Sequence, residues 1–193
     1  MFTQKIITGA AVTGLLLSTV GAALATTNAM DMKFAKMAAQ GGLFEVKSSQ
    51  MALQKSQNSQ VINVAKRMVK EHGAANEELK TVAQNYKMTL PTDTDAKHKA
   101  ILAKLSGLSG TAFDKAYMGS QEKAHTDTVN LFEKEIATGK NAGLTAFASK
   151  NLPDIEDHTK MIYQVGSNLG VHASKMPAMK PAMMPSNMSG HNM

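Results

Sequence analysis

The sequence predicts an all-α protein built as an antiparallel four-helix bundle, with a short extra helix in the connection between the second and third long helices. Apolar residues recur every three or four positions through most of the chain, as on the buried face of a helix. Trp is absent and aromatic residues make up only 5% of the chain, a composition that favours helix over sheet. Four of the periodic segments are long enough to serve as bundle helices.

The composition excludes several classes of function. The chain contains no cysteine, which rules out disulfides, thiolate metal ligands and cysteine nucleophiles, so any soft metal ligand must be a Met thioether. The formal net charge is +6, but Arg67 is the only arginine, so no arginine cluster is present. We therefore expect no nucleic acid partner. No pattern in the sequence indicates an oligomeric state.

Residues 1–25 have the pattern of a signal peptide. Lys5 supplies a positive charge, residues 6–23 are nearly all apolar or small, and Ala23, Leu24 and Ala25 form a cleavage pattern. We expect cleavage to leave a periplasmic or secreted protein of the cell envelope with no transmembrane segment. The alternative is a retained membrane anchor, because the apolar stretch is almost long enough to span a bilayer.

The bundle is predicted over residues 31–170. The first helix covers residues 31–57 and the second covers residues 59–86, with Asn58 and Ser59 ending one helix and capping the next. The first helix has a periodic face of Phe34, Ala38, Gly41, Glu45, Ser48 and Ala52. The second has the clearest period in the chain: Val61, Ala65, Met68, His72, Ala75, Leu79, Val82 and Tyr86.

The second half of the bundle follows a connection with loop chemistry at residues 89–93. A short helix is predicted over residues 95–105, and the third long helix runs from residues 109–111 to 138, where Gly139 stops it. The fourth runs from residue 141 to about residue 170. Pro153 lies inside it and predicts a kink or a break between residues 150 and 154.

The composition changes at residue 171, where Met, Pro and small or polar residues become frequent. Residues 171–193 are predicted to form a disordered tail, because three prolines are interleaved with small and polar residues. Thioethers select Cu(I), and an imidazole can add a further ligand, so this tail is a candidate copper-binding segment. The alternative is a compositional feature without a function. The candidate ligands are Met176, Met179, Met183, Met184, Met188, His191 and Met193.

Four polar residues lie near the midpoints of the four long helices: Glu45, His72, His125 and His158. Helix midpoints in an antiparallel bundle lie at similar heights, so these side chains are predicted to share one layer. Three imidazoles and one carboxylate can bind a transition metal such as copper, zinc or iron. Glu122, one turn before His125, is a further candidate ligand.

A di-iron centre is not predicted, because it requires a Glu-x-x-His motif on two helices. Only Glu122 and His125 form that motif, since Val69 and Ile155 stand three residues before His72 and His158. Glu71 is adjacent to His72 and is expected to point away from the layer, about 100° round the helix. Two alternatives remain open: a metal-free structural or interaction module in which the layer sets helix register, and a mononuclear-metal oxidoreductase.

Several segments carry a resemblance to a known family. They are residues 34–45, residues 67–72 with 76–79, residues 113–117, His125 with residues 131–133, and residues 152–153 followed by His158. On these segments the chain resembles a bacterial family of exported ferritin-like proteins of unknown function, often labelled outer-membrane proteins. The resemblance implies a ferritin-like four-helix bundle and no settled activity. Our leading hypothesis is a non-enzymatic envelope protein that binds a transition metal, in envelope stress or metal tolerance.

Overall fold

The computed structural model describes residues 27–171, and within this range the chain forms five α-helices and no strand. The prediction of an all-α fold is confirmed, and each helix ends within one or two residues of its predicted bounds. The predicted leader and the Met-rich tail from residue 172 lie outside the described residues. The helices are α1 (Ala29–Lys55), α2 (Ser59–Asn85), α3 (Ala96–Ser106), α4 (Gly110–Thr138) and α5 (Ala142–Asn168).

Asparagine caps determine where the first two helices begin. The Asn28 side chain accepts hydrogen bonds from the backbone N–H groups of Met30 and Asp31, and the Asp31 carboxylate accepts one from the Asn28 N–H. This capping box starts α1 two residues earlier than predicted. The Asn58 side chain caps α2 in the predicted position, accepting from the Val61 N–H.

Contacts at the two ends of α1 show that it runs antiparallel to α4. Near the start of α1, Asp31 Oδ1 accepts a hydrogen bond from the Lys140 N–H, just beyond the end of α4 (2.8 Å). Further along α1, the hydroxyls of Ser49 and Tyr117 are 2.8 Å apart, and Tyr117 lies in the first half of α4. The start of α1 therefore lies beside the end of α4 and its second half beside the first half of α4, so the two helices are antiparallel.

The same reasoning makes α2 antiparallel to α5. The side chains of Gln60 and Asn168 are hydrogen-bonded at one end, and Glu78 and Lys150 form an ion pair of 2.7 Å towards the other. α1 packs along α2 and α4 packs along α5, and a connection of only three residues joins each pair, so each pair is antiparallel. Both α2 and α4 thus run opposite to α1. α2 and α4 therefore run in the same direction, which requires the long connection that contains α3.

The apolar core is divided into two clusters by a polar layer. On α2, Met68 belongs to one cluster and Leu79 to the other, and the buried His72 lies between them. α4 and α5 repeat this pattern around their own buried histidines. Large members of the clusters are Phe34, Phe132, Leu144 and Phe147 on one side of the layer, and Phe113, Tyr117, Met118 and Ile162 on the other.

Pro153 does not break α5, which is continuous over Ala142–Asn168. Of the predicted kink or break at this proline, the break does not occur. Leu152 and Ile155, on either side of it, are both buried in the core, and the Asn151 amide donates to the Phe147 carbonyl across the same turn. Packing on both sides of the proline therefore offsets the missing backbone hydrogen bond.

α3 lies against α1 and closes one side of the bundle. Leu105 is its buried residue, and the His98 ring stacks on the Phe44 ring of α1 with centroids 4.5 Å apart. The Lys55 ammonium donates to the Ser106 carbonyl at the end of α3 (2.6 Å). None of the five described helices is long and apolar enough to cross a membrane.

Candidate metal centre

Three of the four predicted layer residues converge on one another. His72, His125 and His158 come from α2, α4 and α5, and their ring centroids are 5.2–5.6 Å apart. One ring nitrogen from each lies within 4.8 Å of the other two. All three residues are buried, with at most 8% of their surface exposed. The cluster sits in the polar layer between the two apolar clusters.

Hydrogen bonds on the outer sides of two rings determine which nitrogens face the cluster. The Nδ1 atom of His125 is 3.1 Å from the Gln121 carbonyl, one turn earlier on α4. Because a carbonyl only accepts, Nδ1 carries the hydrogen and Nε2 is unprotonated, so its lone pair can accept a hydrogen bond or bind a metal ion. That Nε2 is 3.3 Å from the Nε2 of His72.

His158 is held by a carboxylate that the sequence reasoning missed. Its Nε2 is 2.5 Å from Glu71 Oε2, so the expectation that Glu71 points away from the layer was wrong. Arg67 Nε donates to both carboxylate oxygens of Glu71, at 3.0 and 3.1 Å. With Nε2 donating to Glu71, the His158 Nδ1 lone pair is left, and this buried atom has no hydrogen-bond partner among the described residues.

A signal for Glu71 was present in the sequence. Arg67 and Glu71 are spaced as an i,i+4 ion pair, and the residue next to His72 lies about 100° round the helix. That rotation points Glu71 towards α5, where His158 lies. The sequence alone did not show which helix occupies that side of α2, so the pairing was not recognised.

Burial keeps the three imidazoles uncharged. It lowers the pKa of His72 to about 3 and lowers the pKa of His125 well below the ordinary value, and in both cases neighbouring imidazoles add to the effect. Burial also lowers the pKa of His158, although Glu71 opposes this. Neutral imidazoles are the form that binds metal ions, so all three are ready to act as ligands at neutral pH.

Glu45 lies beside the cluster but behind one of its rings. Its Oε1 is 3.5 Å from the Nδ1 of His125, on the side facing away from His72. Its Oε2 is buried without a hydrogen-bond partner among the described residues, and burial raises the pKa of this carboxyl to about 8. The structure thus places Glu45 outside the group of three mutually close ring nitrogens.

Glu122 is not brought to the three histidines. It is partly exposed on α4 and its carboxylate is hydrogen-bonded to the Tyr163 side chain on α5. A spacing of three residues from His125 leaves the two side chains at different angles round the helix, which directs Glu122 towards the α4–α5 seam. The seven candidate copper ligands of the tail lie outside the described residues.

A small cavity of about 40 Å³ adjoins the cluster, and His72, His158, Glu71 and Glu45 all contribute to its wall. A space of this size holds one or a few waters. Gly42 also lines it, and a Cβ at that position would meet Asn76 Oδ1 at 1.9 Å. The absence of a side chain at Gly42 therefore lets Asn76 approach the cavity wall.

Two solved structures are similar to this chain in fold. One is a DUF305 fragment from Deinococcus radiodurans, with a TM-score of 0.66 and 11% identity over 74% of this chain and 98% of that one. The other is a DUF305 protein from Streptomyces coelicolor described as secreted, with a TM-score of 0.64 and 11% identity over 77% of this chain and 97% of that one. At this identity the likeness shows the fold alone.

No curated protein matches the chain. The model of the domain of unknown function DUF4142 matches residues 17–165, which include all three histidines of the cluster and both nearby carboxylates. This match covers well over half of the sequence. The chain therefore belongs to the DUF4142 family.

Proposed function

We propose that this protein binds one divalent transition-metal ion through ring nitrogens of His72, His125 and His158. The observation that carries the proposal is the convergence of three buried, uncharged imidazoles from three different helices. Burying three imidazoles costs free energy, because their ring nitrogens lose hydrogen bonds to water. One metal ion bound by all three rings would compensate this loss.

The distances fit a tetrahedral ion. Two nitrogens bound at about 2.0–2.1 Å to a tetrahedral centre lie about 3.4 Å apart, and the two Nε2 atoms of His72 and His125 are separated by 3.3 Å. The remaining separations among one nitrogen from each ring are up to 4.8 Å, so metal binding requires a small ring movement. We assign Nδ1 as the His158 ligand, because its Nε2 is bonded to Glu71. The buried Nδ1 atom of His158 has no hydrogen-bond partner among the described residues, which supports this assignment.

The metals best suited to the site are zinc, copper and iron, since imidazole binds all three well. A fourth ligand would come from water in the adjoining cavity, because Glu45 lies behind the His125 ring and Glu71 is bonded to the outer nitrogen of His158. The cavity of about 40 Å³ has room for a ligand of only a few atoms. We therefore favour a binding protein over an enzyme that acts on larger substrates.

We also propose that the fold is a ferritin-like four-helix bundle and that the protein is exported to the periplasm or secreted. The parallel α2 and α4, joined by a long crossover, support the first point. The second is supported by the signal-peptide pattern and by the structural neighbour described as secreted. An N-terminal sequence beginning at Thr26 in protein recovered from the periplasm or the medium would test the export proposal.

Copper binding by the tail remains a separate proposal. It rests on the six methionines and one histidine from Met176 onward and on the preference of thioethers for Cu(I). A competition titration with a Cu(I) chelator tests it. We expect a variant ending at Val171 to lose Cu(I) binding while retaining Zn(II) binding; equal Cu(I) affinity with and without the tail would contradict the proposal.

Metal analysis and calorimetry on the mature chain test the histidine site. We expect one metal per chain with a dissociation constant of about 1 μM or tighter, and a loss of at least about 100-fold in His125→Gln. His98→Gln is the matched control, because His98 stacks on Phe44 and lies outside the cluster. No affinity tighter than about 1 mM for Zn(II), Cu(II), Ni(II) or Fe(II) would overturn the proposal.

The second candidate function is a metal-free module in which the layer sets helix register. The hydrogen bond between His72 and His125 favours it, since buried polar pairs specify register in some bundles. This alternative predicts that His72→Leu folds normally and binds every ligand as the parent does. Metal-dependent turnover that is lost in His125→Ala would instead support the mononuclear-metal oxidoreductase.

A further inference from the structure

A second concave site lies between α3 and α4 and shares no lining residue with the histidine cavity. It is a groove of about 360 Å³, within the usual range for small-molecule sites. α3 rests on α1 and makes few contacts with α4, so a wedge remains between the two helices. We call this space the lysine groove, for the side chains at its rim.

The floor and one wall of the lysine groove are apolar. Phe44, Leu105 and the His98 ring that stacks on Phe44 lie under the groove. Phe44 and Leu105 have almost no exposed surface, so Ile101 is the apolar side chain of the floor that a ligand can contact. The α4 wall is lined by small residues that include Ala116 and Ala124. These two positions are eight residues apart on α4, which corresponds to about 12 Å along the helix axis. The small side chains leave a narrow apolar channel of that length.

The rim carries four lysines and one carboxylate. At one end, Asp127 offsets one of two positive charges, because it forms ion pairs with both Lys97 (3.4 Å) and Lys123 (3.1 Å). Lys104 and Lys115 lie on the rim and are exposed, and neither forms an ion pair with any residue between 27 and 171. The groove thus combines an apolar channel with an unneutralised positive charge from two lysines.

We propose that the lysine groove binds the carboxylate form of a single-chain fatty acid. The carboxylate pairs with Lys104 and Lys115, and the alkyl chain lies between the small residues of α4 and Ile101 of α3. A channel of about 12 Å accommodates a chain of about ten carbons, and burial of the chain supplies most of the affinity. The volume is too small for a helical peptide, which is about 10 Å across with its side chains.

Calorimetric titration of the mature protein with sodium decanoate tests the proposal. We expect saturable binding at one site, weakened at least about tenfold in the double variant Lys104→Glu/Lys115→Glu. Lys66→Glu/Lys70→Glu on α2 is the matched control: it makes the same change in net charge at two exposed lysines outside the groove. We expect this control to keep the parental affinity to within about twofold.

Two further measurements separate groove binding from unspecific adsorption. 1-Decanol has the same chain without the charge, and we expect it to bind at least about tenfold more weakly than decanoate. Ser120→Leu places an aliphatic side chain in the channel, and we expect it to abolish decanoate binding while thermal unfolding stays cooperative. Absence of saturable binding, equal binding of 1-decanol, equal weakening in the two lysine pairs, or unchanged affinity in Ser120→Leu would each overturn the proposal.

Discussion

Glu71 connects the surface of the bundle to the buried histidine cluster. Its carboxylate accepts hydrogen bonds from Arg67 on the same helix and from His158 on α5. Burial alone would raise the pKa of Glu71, but the hydrogen bonds from His158 and Arg67 hold it below its ordinary value. The carboxylate therefore stays ionised and fixes both the tautomer and the orientation of the His158 ring.

Replacing Glu71 by Gln should weaken metal binding about 10- to 100-fold, the usual effect of removing a carboxylate that orients a histidine ligand. A calorimetric titration with Zn(II) measures the change. Glu78→Gln is the matched control, because Glu78 lies two turns further along α2 and pairs with Lys150, away from the cluster. Equal affinities of the Glu71 and Glu78 variants would show that Glu71 has no positioning role.

At the scale of one helix, the pair Gly41 and Gly42 shows how closely α1 and α2 approach. A Cβ at Gly41 meets no atom within 4 Å, whereas a Cβ at Gly42 overlaps the Asn76 side chain. Gly41→Ala should raise the free energy of unfolding by about 0.5–1 kcal/mol, since Ala is the better helix former. The free energy of unfolding of Gly42→Ala should be lower than that of Gly41→Ala by about 1–2 kcal/mol, because the Asn76 side chain must move.

Urea unfolding of the two alanine variants measures this difference, and the parent protein provides the reference. The two substitutions add the same atoms at consecutive positions of one helix, so helix propensity cancels between them. Equal stabilities would mean that α1 and α2 are further apart near the cavity than the structure shows. The position of Asn76 beside the histidine site would then have to be revised.

The helices themselves were predictable because their signals are local. Apolar periodicity placed all five, and the Asn58 cap and Gly139 stop fixed two of the boundaries. The sequence predicted a kink or a break at Pro153, and the break does not occur because Leu152 and Ile155 pack in the core on either side, which local propensity does not include. The start of α1 was placed two residues late because the Asn28 capping box was not recognised.

At the scale of the whole molecule, mid-helix spacing predicted which histidines share a layer, because it depends only on helix lengths and antiparallel packing. It did not predict which side chains pair inside that layer. The contacts of Glu71 with His158 and of Glu122 with Tyr163 depend on the rotation of each helix about its own axis. Rotation is set by packing against neighbouring helices, and periodicity alone defines it only to within one broad face.

The buried histidines should make the metal-free protein sensitive to acid. His72 titrates at about 3 in the folded state and near 6.5 when unfolded, and the shifts of His125 and His158 have the same direction. Between these values the unfolded chain binds more protons. The free energy of unfolding should therefore fall as the pH falls below 6.5, by a total on the order of a few kcal/mol.

Two buried carboxyls should give the free energy of unfolding the opposite dependence on pH. Burial raises the pKa of Glu45 to about 8, and burial and the neighbouring Asp31 raise that of Glu135 to about 7. Above 4.5, the ordinary value, the folded state holds the extra proton, so the free energy of unfolding falls as the pH rises towards 8. Urea unfolding across this range should show a maximum near pH 6.5, and His72→Gln should reduce the slope on the acid side. An unchanged acid slope would contradict the assignment of His72 as neutral.

X-ray absorption spectroscopy of the zinc-loaded mature protein tests the central claim most directly, because it counts the imidazoles bound to the metal. We expect one zinc per chain with three imidazole nitrogens at about 2.0–2.1 Å and a light fourth ligand, and a loss of one imidazole in His158→Ala. A zinc shell made only of oxygen or sulfur, or an imidazole count unaffected by His158→Ala, would contradict the proposed three-histidine site.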